Sequence, residues 1–343
     1  MSKKLAPKVS VLLPTKNAGP LFEHVLRALE QQRGVNFEVL IVDSGSSDGT
    51  VERINAFAER VQKSVQPFDV RLMHIKASEF GHGKTRNYMA QQARGELLVL
   101  ITHDASPMTP QWLAHITAPF ANPNVGIVFG PQAPRPDGNP VIRAELLAFF
   151  AGFAEKNTNG RGRATTYATK PGPGVDRAGQ PNDELMRFSS DVNAAIRRSA
   201  WEECNFRDVT YCEDQLIARD LLEAGWFKVY EPRAAVYHSH NFGTLEFFRR
   251  YTDEWQGMYR AFGYIDVKRF WHLPGRVLRA SLATRHALAS DPRLSWVQKT
   301  LWYPRAAALA TMRQLGGYVG PRLERLPHWL QKRVSREYHL INA

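Results

Sequence analysis

Short apolar runs alternate with helical patterns through the first 104 residues, and this alternation constrains the fold more than any other feature. Four runs of strand type end in polar residues; they are KVSVLLP (8–14), FEVLIVD (37–43), VRLMHIKA (70–77) and ELLVLI (96–101). Amphipathic helical patterns lie between them. Strands that alternate with helices predict βαβ units and a mostly parallel sheet.

The composition is ordinary for a soluble globular protein, with 43% hydrophobic and 23% charged residues among 343. Cys204 and Cys212 form no CxxC pair, which argues against a disulfide framework or a zinc site and suits a reducing compartment. The N-terminal apolar run is too short for a signal peptide, and the run at 146–154 is too short for a membrane span.

The net charge of +12 is concentrated near the C-terminus. Residues 268–343 carry 14 Lys and Arg against 3 Asp and Glu, a net of +11, and residues 1–267 carry 31 against 30, a net of +1. Trp and Tyr interleave with the basic residues there, so the segment predicts either contact with an anionic membrane or a helical cap with a solvated basic face. The nearly neutral remainder and the lack of recognisable motifs argue against a nucleic-acid partner.

The middle of the chain follows a different pattern. Residues 131–187 hold one apolar helical pattern, RAELLAFFAGFA (143–154), and a long segment rich in Gly, Pro and polar residues. Such a segment is typical of a functional lid or of disorder, so a mobile loop is predicted over 156–187.

Carboxylate side chains, which are candidate ligand contacts, follow two of the strands. Asp43 ends the second strand, and Asp104 follows the fourth in THDASP. In α/β sheets, ligands bind at the carboxyl ends of the strands, so both residues are candidates for contact with a nucleotide or a metal. The alternatives are a turn for Asp43 and a helix cap for Asp104.

The segment FGHGKTRN (80–87) resembles a P-loop, but Ser78 stands where that motif needs a glycine. Gly81 and Gly83 still allow a close backbone approach to a phosphate. Lys84 and Arg86 place positive charge at a helix start, which favours a bound anion.

Two further pairs are candidates. Glu213 and Asp214 begin a helical pattern, where carboxylates also suit the helix dipole for structural reasons. His238 and His240 alternate in the strand-like VYHSHN, so they share one face and are candidate ligands.

The chain as a whole resembles the inverting family-2 glycosyltransferases with a GT-A fold, in collinear order over about residues 8–245. The segments that carry the resemblance are VSVLLPTKNAG, EVLIVDSGSSDGT, FGHGKTRNYMAQQARGE, LLVLITHDASP, NAAIRRSAWEE, CEDQLIARDLLEAGW and VYEPRAAVYHSHN. The segments FGHGKTRN, THDASP and VYHSHN resemble the rhamnosyltransferase branch most.

The resemblance implies an α/β fold of GT-A type, a Rossmann-like and mostly parallel sheet flanked by helices, with a helical basic C-terminal extension. A catalytic domain is therefore expected over 1–267, up to the start of the basic segment, with a nucleotide-binding half (1–130) and an acceptor-binding half (131–267). The extension, 268–343, is not covered by the resemblance.

The resemblance also implies roles for the residues that bind the donor. Pro14, Thr15 and Asp43 match positions that frame the base and ribose. Arg86 matches a position that contacts the nucleotide or diphosphate, and Lys84 beside it is grouped with the donor-binding residues.

Asp104 matches the last Asp of the DxD motif, which binds a divalent metal, and His238 or His240 matches a further metal ligand. Thr102 and His103 depart from the acidic motif and stand where the ribose is normally contacted. Mg²⁺ or Mn²⁺ is therefore the expected cofactor, held by Asp104, the donor diphosphate, water and one His.

Asp214 matches the base that activates the acceptor, and Glu213 stands beside it. The implied reaction is transfer of L-rhamnose from dTDP-L-rhamnose, with inversion, to a glycan or lipid-linked saccharide in cell-surface polysaccharide synthesis. Another UDP-, GDP- or dTDP-sugar as donor, or a catalytically weak relative that only binds sugar nucleotides, are the alternatives. The expected location is the cytoplasm, or the inner face of the plasma membrane through contacts of 268–343.

Overall fold

A computed structural model of the chain describes residues 8–155, 165–169, 186 and 188–338. Most of the loop predicted over 156–187 therefore lies outside the described residues. Within that range, residues 165–167 form a strand rather than a loop.

One large sheet is built around the strands that the sequence predicts. Its members are β1 (Val9–Thr15), β2 (Phe37–Asp43), β3 (Asp69–His74), β4 (Leu97–Ile101), β6 (Val125–Phe129), β8 (Thr165–Tyr167), β9 (Asn193–Arg197) and β10 (Phe227–Tyr230). The strand order is β3-β2-β1-β4-β9-β6-β10-β8. The first four are mutually parallel, as are β6 and β10, whereas β9 and β8 run antiparallel to their neighbours. The mostly parallel α/β sheet is thus confirmed.

A second, small sheet consists of three two-residue strands. They are β5 (Ser106–Pro107), β7 (Gln132–Ala133) and β11 (Val236–Tyr237), in the order β5-β11-β7. The central β11 pairs antiparallel with β5 and parallel with β7. It therefore joins three segments that are far apart in sequence.

In the described residues, helices lie between the strands and over most of the C-terminal part. They are α1 (Phe22–Glu30), α2 (Thr50–Gln62), α3 (His82–Gln92), α4 (Trp112–Thr117), α5 (Pro140–Glu155), α6 (Arg198–Glu203), α7 (Glu213–Glu223), α8 (Thr244–Phe262), α9 (Leu273–Ser290), α10 (Trp296–Val319) and α11 (His328–Val334). Short 3₁₀ helices lie at Ala77–Glu79, Ala118–Ala121, Phe270–His272 and Gly320–Arg325. None of the described helices has the length and apolarity that crossing a bilayer requires.

The main core lies around the large sheet. Strands β1, β2 and β4 are buried along almost their whole length, as expected for strands packed on both faces. Helix α1 adds four buried side chains, which are Phe22, Val25, Leu26 and Leu29. The sequence pattern predicts Leu21 on this face, but Leu21 precedes the helix and is 43% exposed, so Phe22 takes its place.

The chain divides into two compact units. The first comprises Met1–Ala133, Phe149–Asp208 and Glu213–His238, and it contains both sheets. The second comprises Pro134–Ala148, Val209–Cys212 and Ser239–Ala343. This division does not follow the predicted boundary at residue 267, because α8 belongs to the same unit as the extension.

The packing of α8 against α10 explains that grouping. A Cβ added at Gly316 of α10 would lie 2.7 Å from the Cβ of Tyr251, and one added at Gly320 would lie 2.5 Å from the carbonyl oxygen of Thr252. Glycines thus allow close contact between the two helices. A small apolar core completes the unit with Val141, Phe247, Leu288, Ala306 and Leu309.

Candidate active site

The carboxyl edge of β1–β3 brings predicted donor-binding residues together. The parallel register pairs Thr15 with Asp43, and Asp43 with His74. Thr15 and Asp43 are buried, and Pro14 is half-buried. The Thr15 hydroxyl is buried without a hydrogen-bond partner among the described residues. An unpaired polar group of this kind is costly, so a ligand hydroxyl or carbonyl at this edge would relieve the cost.

Asp43 also shapes the turn that follows β2. Its Oδ2 accepts hydrogen bonds from the backbone N–H groups of Gly45 and Ser46, each at 3.0 Å, and the Ser46 hydroxyl donates to Oδ1. Gly45 has a φ of +86°, which favours glycine. His74 Nδ1 lies 3.8 Å from Asp43 Oδ2. Asp43 therefore stabilises this turn, which is the alternative to ligand binding. Its contact with the donor stays a prediction.

Gly83 of FGHGKTRN serves the protein's own packing. Helix α3 begins at His82, after Gly81. A Cβ at Gly83 would lie 2.1 Å from the carbonyl oxygen of Arg207. The close approach predicted for a phosphate at Gly83 is thus made by a backbone segment of the chain itself. Lys84 points outward as an exposed residue.

Arg86 is buried and paired with two carboxylates. It is 7% exposed. Its Nε lies 2.6 Å from Asp191 Oδ2, and its Nη1 donates to Glu213 Oε1 at 3.0 Å. Nη1 also donates to the carbonyl of His82 at 3.0 Å. The guanidinium predicted to contact the donor is therefore held by the protein's own acids.

The start of α7 places the predicted acid pair beside this arginine. Glu213 is buried and Asp214 is half-buried in the first helical turn. Asp214 Oδ1 accepts the backbone N–H of Gln215 at 2.8 Å. Cys212, just before the helix, has a φ of +67°, a strained conformation for a residue with a Cβ.

Burial has the largest effect on the pKa values of Asp191, Asp214 and Arg86. It raises the pKa of Asp191 to about 7, although Arg86 opposes the shift. Burial, followed by the charges of Glu213 and Asp191, raises the pKa of Asp214 well above its ordinary value. For Arg86, burial acts to lower the pKa, but the three carboxylates outweigh it and the pKa is raised.

Asp104 and His238 form a second polar centre in the first unit. His238 Nε2 lies 3.5 Å from Asp104 Oδ2. The Thr102 hydroxyl donates to Asp104 Oδ1 at 2.7 Å, so the residue that departs from the acidic motif orients the carboxylate. Burial acts to raise the pKa of Asp104, but the hydrogen bond and charge of His238, the charge of His103 and the Thr102 hydroxyl together lower it. Asp104 is thus ionised at neutral pH.

The small sheet brings these residues together. Asp104 precedes β5, and His238 follows β11. Strands β5 and β11 pair with each other. His238 Nδ1 lies 2.8 Å from Gln132 Oε1 at β7, and that contact leaves Nε2 directed at Asp104. His240 belongs to the second unit, where its ring stacks on Phe242 with centroids 4.8 Å apart.

Sequence reasoning missed Gln132 and Asp191. Gln132 ends the run NVGIVFGPQ, and Asp191 precedes a buried strand in FSSDVN. A polar residue at each strand end was the only available signal, and it does not distinguish these two from ordinary loop residues.

Solved structures share this fold over nearly the whole chain. A mannosyltransferase from Pyrobaculum calidifontis, determined with GDP-Man and Mn²⁺, covers 93% of this chain and 87% of its own, with a TM-score of 0.58 and 21% identity. TarS 1–349 of S. aureus, determined with UDP-GlcNAc, covers 93% and 91%, with a TM-score of 0.52 and 15% identity. These two likenesses show the fold of the chain, which is of GT-A type.

Sequence comparison gives the family. The family model described as "Glycosyl transferase family 2" matches residues 10–204, which is more than half of the chain, so the chain belongs to this family and is a glycosyltransferase. The O-antigen chain rhamnosyltransferase RfbN of Salmonella typhimurium strain LT2 is 28% identical over 93% of this chain and 91% of its own. The O-antigen chain rhamnosyltransferase WbaN of Salmonella anatum is 27% identical over 94% and 91%.

Proposed function

We propose that the protein transfers L-rhamnose from dTDP-L-rhamnose to a glycan or lipid-linked saccharide in cell-surface polysaccharide synthesis. The observation that carries the proposal is an acid pair at the start of α7 in a family-2 transferase whose similar relatives are named O-antigen chain rhamnosyltransferases. Those relatives align over about nine-tenths of both chains, so the likeness extends beyond the family domain.

The donor occupies the carboxyl edge of β1–β4 in this proposal. Pro14, Thr15 and Asp43 frame the nucleotide, and the unpaired Thr15 hydroxyl supports a contact there. Thr102 and His103 follow β4 and face the same edge of the sheet. Exposed Lys84 supplies positive charge for the diphosphate. These contacts suit other sugar nucleotides as well, so the assay must compare donors.

A divalent cation fits the Asp104–His238 centre. Asp104 offers an ionised carboxylate, and His238 is held through Nδ1 so that Nε2 can act as a ligand. This donor set suits Mg²⁺ or Mn²⁺, and imidazole favours Mn²⁺ modestly. His240, two residues along the chain, is a further candidate ligand. When bound, the cation offsets the negative charge that grows on the departing nucleoside diphosphate.

Asp214 is the proposed base. It takes the proton from the acceptor hydroxyl as the oxygen forms a bond to the anomeric carbon. The bond from that carbon to the diphosphate oxygen breaks, and a single displacement inverts the anomeric centre. Glu213 is less suited because its carboxylate already accepts an N–H from Arg86.

The extension is proposed to contact an anionic membrane surface at the inner face of the plasma membrane. Its described part exposes large apolar side chains among basic residues; they are Phe270, Trp271, Leu278, Leu282, Trp296, Val297, Leu301 and Trp329. Two of its few acids are already paired, Asp291 with Arg143 and Glu324 with Arg260. Exposed aromatic residues with unbalanced positive charge are typical of interfacial helices.

A donor panel tests the proposed reaction. Purified protein is supplied with dTDP-, UDP- and GDP-sugars, with soluble and lipid-linked acceptors, and release of nucleoside diphosphate is measured by chromatography. We expect acceptor-dependent release from dTDP-L-rhamnose that is abolished by chelator and by Asp104→Ala. Full activity in chelator contradicts the metal assignment, and donor binding without turnover favours a relative that only binds sugar nucleotides.

A further inference from the structure

Asp191 lies in a buried loop directly before β9, and its neighbours fix this loop. Gln132 Nε2 donates to the Ser190 hydroxyl at 3.0 Å, and Lys228 Nζ donates to the carbonyl of Phe188 at 2.8 Å. Asp191 itself is 4% exposed. Its carboxylate therefore sits on backbone that is anchored from two other strands.

Arg86 connects Asp191 to the carboxylates of α7. Arg86 Nε lies 2.6 Å from Asp191 Oδ2 as an ion pair, and Arg86 Nη1 donates to Glu213 Oε1 at 3.0 Å. Because the guanidinium is planar and rigid, its contacts with carboxylates on two sides restrict its position. Asp214 follows Glu213 in the same helical turn, and its charge also acts on Arg86.

The charges of Arg86, Asp191, Glu213 and Asp214 do not balance. Three ionised carboxylates and one guanidinium leave two uncompensated negative charges, and Asp191, Glu213 and Arg86 are each more than nine-tenths buried. Burial disfavours such excess charge, so the group retains a proton at a higher pH than isolated carboxylates do. Among the described residues, His82 is the further titratable group that faces it, with Nδ1 4.0 Å from Glu213 Oε1.

We propose that Asp191 is a positioning residue for acceptor activation: it pairs with Arg86 and, through its own charge, raises the proton affinity of Asp214. The inference rests on the proposed function, in which Asp214 takes the acceptor's proton. Both effects of Asp191 act in one direction, because a nearby negative charge and a restrained Arg86 each strengthen Asp214 as a base. The base strength thereby moves toward the pH at which the enzyme works.

A carbon-13 NMR titration of the aspartate carboxyl carbons tests this on the full chain without substrate. The Asp214 signal is assigned by its loss in Asp214→Asn. Asp191→Asn removes one negative charge and leaves the charge of Arg86 to the carboxylates of α7, so we expect the titration midpoint of Asp214 to fall by about one pH unit or more. Asp191→Glu keeps the charge and should restore most of the shift.

Asp220→Asn is the matched control, because Asp220 lies on the same helix but pairs with Arg207 and Arg219. It should leave the Asp214 midpoint unchanged. An unchanged or higher Asp214 midpoint in Asp191→Asn overturns the proposal. If Asp191→Asn does not fold, the wild-type protein keeps the proposal falsifiable, since an Asp214 midpoint near the ordinary ~4 overturns it.

Kinetics give a second readout. In Asp191→Asn, the acid limb of the kcat profile should move to lower pH while the donor KM stays unchanged. A limb that stays in place while kcat falls would indicate a merely structural role and overturn the proposal. A protein that transfers no sugar from any donor refutes the proposed function, whereas the NMR titration still tests Asp191.

Discussion

At the scale of residues, two adjacent carboxylates on α7 have different partners. Glu213 accepts a hydrogen bond from Arg86, whereas Asp214 accepts one from its own helix at Gln215. An ion-paired carboxylate is a poor base, because its charge is already stabilised. This difference assigns the proton transfer to Asp214 within the proposed mechanism.

Asp214→Asn should therefore keep donor affinity and lose transfer by about 10²-fold or more, the usual scale for a general base. Donor affinity is measured by calorimetry and transfer by product formation. If Glu213→Gln abolishes transfer and Asp214→Asn does not, the base is Glu213.

In the proposed metal centre, Gln132 contacts His238. A partner on the second imidazole nitrogen fixes the tautomer of a ligating His, and its loss costs about 10–100-fold in metal affinity. Gln132→Leu should weaken Mn²⁺ binding on this scale, measured by electron paramagnetic resonance of the free ion. Gln91→Leu, at an exposed position of α3, is the control. Equal affinities in the two variants would refute the role of Gln132.

The sequence indicates candidate residues that lie at the end of a strand or at the start of a helix. Asp104 follows a strand and Glu213 begins a helix, so local patterns locate both. Gln132 meets His238 across 106 positions of sequence, and Asp191 meets Arg86 across a similar separation. No local pattern encodes contacts between segments that distant.

At the scale of elements, α3 packs against the backbone of the segment before α7. The Cβ position of Gly83 lies 2.1 Å from the carbonyl oxygen of Arg207, and Asn87 Nδ2 donates to the carbonyl of Phe206 at 2.8 Å. The glycine-containing motif thus fixes the helix that carries Arg86. The sequence predicted the helix but assigned its glycines to a phosphate, because a glycine pattern does not say which backbone comes close.

Gly83→Ala should destabilise the protein by about 1–3 kcal/mol, because the added methyl group overlaps backbone that cannot move aside freely. Gly152→Ala is the matched control: Gly152 lies inside α5 with no atom within 4 Å of its Cβ position, so alanine there should stabilise by about 0.5–1 kcal/mol. Both are measured by denaturant unfolding. Equal effects of the two substitutions would contradict the packing of α3.

At the scale of the whole molecule, the alternation of strands and helices was sufficient to predict the fold class. Strand β9 was less predictable, since its antiparallel place between β4 and β6 depends on pairing between distant segments. The predicted limit at 267 relied on the change of charge, whereas the division of the fold follows packing of α8 on α10. Charge and packing are separate properties, and only the first is visible in a sequence.

The charged extension gives a prediction at this scale. Each Lys or Arg near an anionic surface contributes about 1 kcal/mol, so the full chain should co-sediment with anionic vesicles at low salt and dissociate at high salt. Trp296→Ala combined with Leu301→Ala should weaken binding several-fold, and Leu21→Ala, an exposed leucine outside the extension, should not. Protein that stays in the supernatant at low salt would refute the membrane contact and favour a structural cap.

The anomeric configuration of the product decides whether transfer is a single displacement, and it can be followed by proton NMR during transfer from dTDP-L-rhamnose to an acceptor. A single displacement with Asp214 as the base predicts a rhamnoside of configuration opposite to that of the donor, formed in step with release of dTDP. A product that retains the donor's configuration, or dTDP release with no glycoside formed, would contradict the account.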